Sequence, residues 1–201
     1  MPSDPARRAL IFTAAAAAVA ALLPSGTVAL DTPQARALID RLVGEINGVI
    51  ASGKSEAAMI KDFEGIFSRY ADVNFIALST LGPAARGADK ATLANYVKAF
   101  RGYISRKYGK RFREFIGGRV DVVAAHPLKS YYEVVSTVKL RAQAPFEVRW
   151  HVGDKGGRDL FFNIIIEGVN MLSAERAEIG AMLDRRRGDI AALAQDLAKA
   201  G

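Results

Sequence analysis

The chain has 201 residues, half of them hydrophobic and 24% charged, with 28 Lys and Arg against 21 Asp and Glu for a net charge of +7. This balance is that of an ordinary globular protein and excludes disordered, collagen-like and coiled-coil classes, while the length fits one domain with an appendage. With no cysteine and only two distant histidines, His126 and His151, disulfide scaffolds, thiolate metal sites, cysteine catalysis and multi-histidine metal centres are also excluded.

Residues 1–29 read as a secretory signal peptide. Arg7 and Arg8 precede an uncharged run of 15 residues from Ala9 to Leu23, and Thr27-Val28-Ala29 offers small residues for cleavage. The run is short for a membrane span, which takes about 20 residues. Cleavage removes Asp4, Arg7 and Arg8 and lowers the net charge from +7 to +6. Residues 30–201 then form a single exported domain.

That domain begins with helices. Asp31 or Thr32 can cap the first, with Pro33 in its first turn and Leu38, Ile39, Leu42, Val43, Ile46, Val49 and Ile50 at helical spacing. Ser55 starts the second, whose apolar face is Met59, Ile60, Phe63, Ile66, Phe67 and Tyr70. A short third helix runs from Asp72 to a stop at Gly82. Asp89 caps a longer fourth, ending near Gly109, with Leu93, Tyr96, Val97, Phe100, Tyr103, Ile104 and Tyr108 as its stripe; a helical turn over 112–116 follows.

The period then changes to two. Strands are predicted over 119–123, 131–140, 146–152 and 160–167, the last apolar on nearly both faces. Helices over 174–183 and 189–199 close the chain. The fold class is α+β: a curved antiparallel sheet of about four strands, packed against N-terminal and C-terminal helices, with an apolar cavity between.

Enzyme signatures are absent: no Gly-x-Ser-x-Gly elbow, no His-Glu-x-x-His, no phosphate-binding loop. His126 reads as an exposed imidazole in a turn, and His151 as a surface pair or sheet hydrogen bond on a polar strand face. Asp72 reads as a cap, and Glu167 as a carboxylate that caps a loop or pairs with Arg176. The segment 98–113 carries Lys98, Arg101, Arg106, Lys107, Lys110, Arg111 and Arg113 among aromatics and holds no acid. It fits either an anion-binding surface or a solvated face laid over a core stripe.

The run Phe63-x-x-Ile66-Phe67-x-x-Tyr70-x-Asp72-Val73-x-x-Ile76-Ala77-x-x-x-Leu81-Gly82, with Arg86 following, resembles the MlaC / toluene-tolerance family of periplasmic phospholipid-binding proteins. So do Tyr96-x-x-x-Phe100-x-x-Tyr103-x-x-x-x-Tyr108, Val148-x-Trp150 and Ile166-Glu167-Gly168-Val169-x-Met171 with Arg176 after it. Two positions depart: Asn163 stands where Asp is common and Asn170 where Ser is common. The resemblance implies a periplasmic carrier with no catalytic residues, no cofactor and no metal. It would shuttle phospholipid between an outer-membrane lipoprotein complex and an inner-membrane transporter built from an MCE-domain protein and an ABC ATPase, maintaining outer-membrane lipid asymmetry. It would act as a monomer with transient membrane contact and bind no nucleic acid. Relatives tied to hopanoid transport leave the lipid class open.

On this reading the sheet positions Val134, Val138, Val148, Trp150, Ile164 and Ile166 face the helix positions Val73, Ile76, Tyr96, Phe100 and Tyr103 across an acyl-chain site. Cations such as Arg101, Arg106, Lys107 or Arg149 would hold the head-group phosphate at its mouth. Two other classes stay open: an enzyme of cone-shaped α+β fold using Glu167 or Asp72 as a base, and an anionic-surface or nucleic-acid module using segment 98–113.

Overall fold

The computed structural model describes residues 31–201 except 142 and 156, without the side chains of 112 and 113; the expected signal peptide over 1–29 lies outside the described residues. Helix α1 spans Thr32–Ala51. Asp31 caps it by accepting from Gln34 N–H at 2.8 Å, and the Gln34 side chain accepts in return from Asp31 N–H at 3.1 Å. This reciprocal pair satisfies two amide donors that a helix start otherwise leaves open. Helices α2 (Glu56–Tyr70), α3 (Val73–Leu81) and α4 (Lys90–Gly109) begin at Ser55, Asp72 and Asp89, each accepting from backbone N–H groups of the first turn. Such a cap contributes about 1 kcal/mol. Short 3₁₀ turns follow α3 at Gly82–Gly87 and α4 at Lys110–Phe115.

The sheet comprises β1 (Arg119–Pro127), β2 (Tyr132–Lys139), β3 (Phe146–Asp154), β4 (Asp159–Ile166) and β5 (Val169–Asn170), in that spatial order and antiparallel throughout. Helices α5 (Met171–Arg185) and α6 (Ile190–Lys199) complete the α+β fold. Helix α1 lies across β1 to β4, while α4 packs on α2, α3 and α6, and α3 packs on α5. All six helices bury their apolar stripes in one cluster with the sheet.

The sheet has five strands rather than about four. The extra one is two residues long, made by a hairpin turn at Glu167 and Gly168 with φ of 49° and 81°. Positive φ at both turn residues is the geometry that matches strand twist; glycine takes it freely and glutamate at a cost. Strand β1 also runs to Pro127, beyond the expected Val123. Its register with β2 shifts between Val122 and Ala124, which leaves Val123 54% exposed and breaks the alternation by which a strand is read.

β1 is a sheet edge, and α1 blunts it. The Asn47 side chain donates to Val120 C=O at 3.1 Å and accepts from Val120 N–H at 3.2 Å, and Arg36 donates to Val122 C=O at 3.0 Å. These side chains occupy hydrogen bonds that another strand would otherwise seek. At the β4 side, Asp72 N–H donates to Phe161 C=O at 2.8 Å, tying the start of α3 to the sheet. Replacing Asn47 with Ala leaves both Val120 groups without protein partners and is expected to cost about 1–2 kcal/mol. An unchanged urea midpoint would show that water substitutes fully.

Candidate functional site

The register of the central strands builds a continuous apolar surface. Val134, Trp150 and Ile164 lie in one cross-strand row, and Ser136, Val148 and Ile166 in the next but one. Helix α4 sets Tyr96, Phe100 and Tyr103 against the same cluster, and α3 adds Val73 and Ile76. The structure therefore brings together all eleven residues expected to form the acyl-chain wall. Their side chains close on one another: Tyr96, Phe100 and Val134 have no exposure. Val73, Ile164 and Ile166 keep partial exposure, so the least sealed part of the wall is where α3 meets β4.

Polar groups within this interior are satisfied locally. Trp150 Nε1–H donates to Ser136 Oγ at 2.9 Å, and that hydroxyl donates to Val148 C=O at 3.2 Å. The Tyr96 and Thr80 hydroxyls share a hydrogen bond of 2.7 Å, and Thr80 donates to Ala77 C=O at 2.6 Å. Burial pushes the Tyr96 phenol well above its usual pKa, so it stays neutral. Sequence reasoning missed Ser136 and Thr80. Ser136 sits in the apolar alternation of β2, and only the indole opposite it explains a hydroxyl there.

The four head-group candidates all have protein partners. Arg101 pairs with Glu64 at 3.0 Å; Arg106 donates to Leu197 and Ala200 carbonyls at 2.6 and 2.8 Å, closing the end of α6. Lys107 binds Glu175 at 2.7 Å and Glu178 at 2.6 Å, and Arg149 pairs with Glu147 and lies 3.8 Å from Glu133. Lys110 and Arg111 are engaged as well, with Gly201 C=O and Glu114. Arg101, Arg106 and Lys107 thus tie α4 to α2, α6 and α5.

The Lys107 cluster is the most buried of these ties. Tyr108 donates to the same Glu175 oxygen as Lys107, Tyr103 donates to Glu178 at 2.6 Å, and the second Glu175 oxygen is buried without a partner among the described residues. Burial opposes the Lys107 charge, but the hydrogen bonds from its ammonium to Glu175 and Glu178 outweigh this and raise its pKa. Burial first, then the bond to Glu178, pushes Tyr103 up to about 12. The Lys107 and Tyr103 hydrogen bonds hold the Glu178 carboxyl below its usual range.

Neither proposed base faces the wall. Asp72 accepts from Phe75 N–H at 2.9 Å as a cap, and Glu167 is exposed at its hairpin turn and makes no pair with Arg176. His126 is on β1, not in a turn, and meets Glu133 at 3.0 Å. His151 makes the expected sheet pair with Glu133, at 3.3 Å, yet is 8% exposed, because Tyr131 and Phe162 cover it with ring centroids at 4.7 and 5.9 Å. Asn163 accepts from Ile164 and Leu172 N–H at 2.9 and 3.2 Å, and Asn170 caps α5 by accepting from Ser173 N–H at 3.0 Å. The two asparagines that depart from the family pattern therefore fix the β4–α5 corner.

Two open clefts share no lining residue with the wall. One of about 560 Å³ runs between α1 and β1 past Asp40, Asn47, Arg119 and Lys139. The other, about 390 Å³, lies where α3, its 3₁₀ turn and α5 meet. Among the described residues no helix is long and apolar enough to cross a membrane.

The sequence profile described as MlaC protein matches residues 37–199. Among solved structures, the phospholipid-binding protein from Ralstonia solanacearum, determined in complex with a phospholipid, superposes with a TM-score of 0.71. The two are 16% identical, and the match covers 82% of this chain and 95% of the other, a likeness of fold.

Replacing Lys107 with Met removes the counter-charge of the buried Glu175 carboxylate, leaving it the Tyr108 hydroxyl, and is expected to cost about 3 kcal/mol in chemical denaturation. A second expectation concerns pH. A carboxyl with a lowered folded-state pKa stabilises the fold above the usual value of 4.5 and loses that contribution as pH falls through the lowered one. Glu178→Gln should therefore be less stable than the parent at neutral pH, and the difference should shrink below pH 4.5. A pH-independent difference would mean that the Lys107 and Tyr103 bonds do not act on the Glu178 charge.

Proposed function

The chain belongs to the MlaC family, and from that membership we propose that it is a periplasmic carrier that holds phospholipid acyl chains between the sheet and α3–α4. It exchanges lipid with an outer-membrane lipoprotein complex and an inner-membrane MCE/ABC transporter, and so maintains outer-membrane lipid asymmetry. The observation that carries this reading is the single apolar surface assembled from β2, β3, β4, α3 and α4. The phospholipid in the Ralstonia solanacearum relative supports it.

The energetics require such a surface. Removing each methylene from water gains about 0.8 kcal/mol, so two chains with on the order of 28 methylenes oppose free diffusion by roughly 20 kcal/mol. Between the sheet and the helices the chains exchange bilayer neighbours for Val, Ile and aromatic ones, and transfer becomes close to neutral. The wall is closed in this structure, so loading separates side chains that otherwise touch each other. As α3 parts from the sheet, methylenes take the place of the apolar neighbours it leaves. Opening is therefore mild when lipid is present and strongly unfavourable when only water could enter.

Protein purified from bacterial cells should yield phospholipid on solvent extraction and mass spectrometry, and should take up lipid from vesicles. Val148→Trp adds apolar volume to the wall, so that its closed form leaves less room to part for chains, and avoids burying a charge. It should reduce loading at least tenfold while leaving the circular dichroism spectrum unchanged. No extracted lipid together with no uptake would overturn the carrier reading, and full loading of the folded Trp variant would move the chains to another wall.

A further inference from the structure

The cleft between α3 and α5 has a composition unlike its surroundings. It is lined by Phe75, Leu78, Ser79, Gly82, Pro83, Arg86 and Arg176, with no carboxylate among them. Both arginines are exposed, and among the described residues neither has an ion pair or a side-chain hydrogen bond. Among the described residues, the side chains of Arg101, Arg106, Arg149 and Arg186 engage a carboxylate or a carbonyl, whereas those of Arg86 and Arg176, like Arg41 and Arg187, do not; what sets Arg86 and Arg176 apart is that they line one cleft together. Two guanidinium groups lining one concavity make its potential positive, and an anion that enters it can meet both.

The backbone makes room for this arrangement. Gly82 ends α3 with φ of 57°, and a Cβ there would stand 3.0 Å from Arg176 Nη2. A side chain at residue 82 would thus be strained and would also press on the guanidinium that now lies across the glycine. Phe75, 40% exposed, borders the same cleft, and its ring meets Phe162 edge-on with centroids 5.6 Å apart. The cleft is consequently cationic on one side and aromatic on the other.

Its position is informative as well. Phe75 and Leu78 flank Ile76 and Ala77, which α3 turns inward to the core, and Leu78 itself packs against the core cluster. Thr80, one turn on, bonds the wall residue Tyr96. The three wall residues that keep partial exposure, Val73, Ile164 and Ile166, lie on α3 and β4, the elements that flank this corner.

We propose that Arg86 and Arg176 form a phosphate-binding site at the α3–α5 cleft, which holds the phosphodiester of the carried lipid while its chains occupy the adjoining wall. Planar guanidinium forks suit phosphate oxygens, and the charge is matched without displacing any internal partner. This rests on the carrier reading for the source of the phosphate but not for the site itself.

The test compares two lipids with the same acyl chains, phosphatidylglycerol and diacylglycerol, offered in vesicles to the full chain and to Arg86→Gln/Arg176→Gln. Lys61→Gln/Lys90→Gln removes the same charge from exposed positions elsewhere and controls for general attraction to anionic vesicles. The parent and the lysine variant should prefer phosphatidylglycerol, and the arginine variant should lose at least tenfold of that preference while loading diacylglycerol unchanged. An undiminished preference in the arginine variant overturns the site. If the parent loads neither lipid, the carrier reading fails and glycerol phosphate, titrated by NMR, decides the site separately. Binding abolished in the arginine variant upholds a phosphate site fed from a soluble source, and no binding to the parent overturns it.

Discussion

A slip of β3 by one residue against β2 would exchange Val148 and Trp150 for Glu147 and Arg149 on the face that meets the helices. Side chains alternate across a strand, so register is all or nothing for an amphipathic sheet. The remaining architecture depends on that register. The rows Val134–Trp150–Ile164 and Ser136–Val148–Ile166 are the surface against which α1, α3 and α4 close. The two sheet edges are then protected differently. Asn47 and Arg36 of α1 cover β1, and the α2–α3 junction is tied to β4 through Phe161.

Charge in this protein serves mainly to hold helices together. Lys107 joins α4 to α5 through Glu175 and Glu178, Arg106 joins α4 to α6 through two carbonyls, and Arg101 joins α4 to α2 through Glu64. Exposed pairs contribute little individually, but the Lys107 cluster encloses a nearly buried carboxylate and is correspondingly sensitive to loss of either partner. A run of cations in sequence therefore says less about an outer ligand than two cations that line one cleft with no acid in its lining. The α3–α5 corner, where Arg86 and Arg176 have no carboxylate partner among the described residues, shares α3 with the part of the wall that is least sealed.

Much of the fold was legible because its signals are local. Asp31, Ser55, Asp72, Asp89 and Asp189 all cap the helices they precede, since a side-chain oxygen three residues before an open N–H needs no tertiary partner. The apolar stripe of α1 from Leu38 to Ile50 is buried as its spacing dictates. The eleven positions expected to line an acyl-chain site all lie in or against the core cluster, as the same periodicities imply. Other features could not be read this way. The shift at Val122 interrupts β1, the burial of His151 comes from Tyr131 and Phe162, and β5 comes from a strained turn at Glu167.

The sequence by itself determined which faces are apolar, where helices begin, and that an α+β fold of this family results, because periodicity and capping act over a few residues of chain. Only the tertiary structure decided which polar groups are already partnered. Arg101 finds Glu64 across 37 residues, Lys107 finds Glu175 across 68, and Arg86 and Arg176 find no acid among the described residues. Electrostatic partnership depends on distances of a few ångströms between distant stretches of chain, and spacing along the sequence carries no record of them.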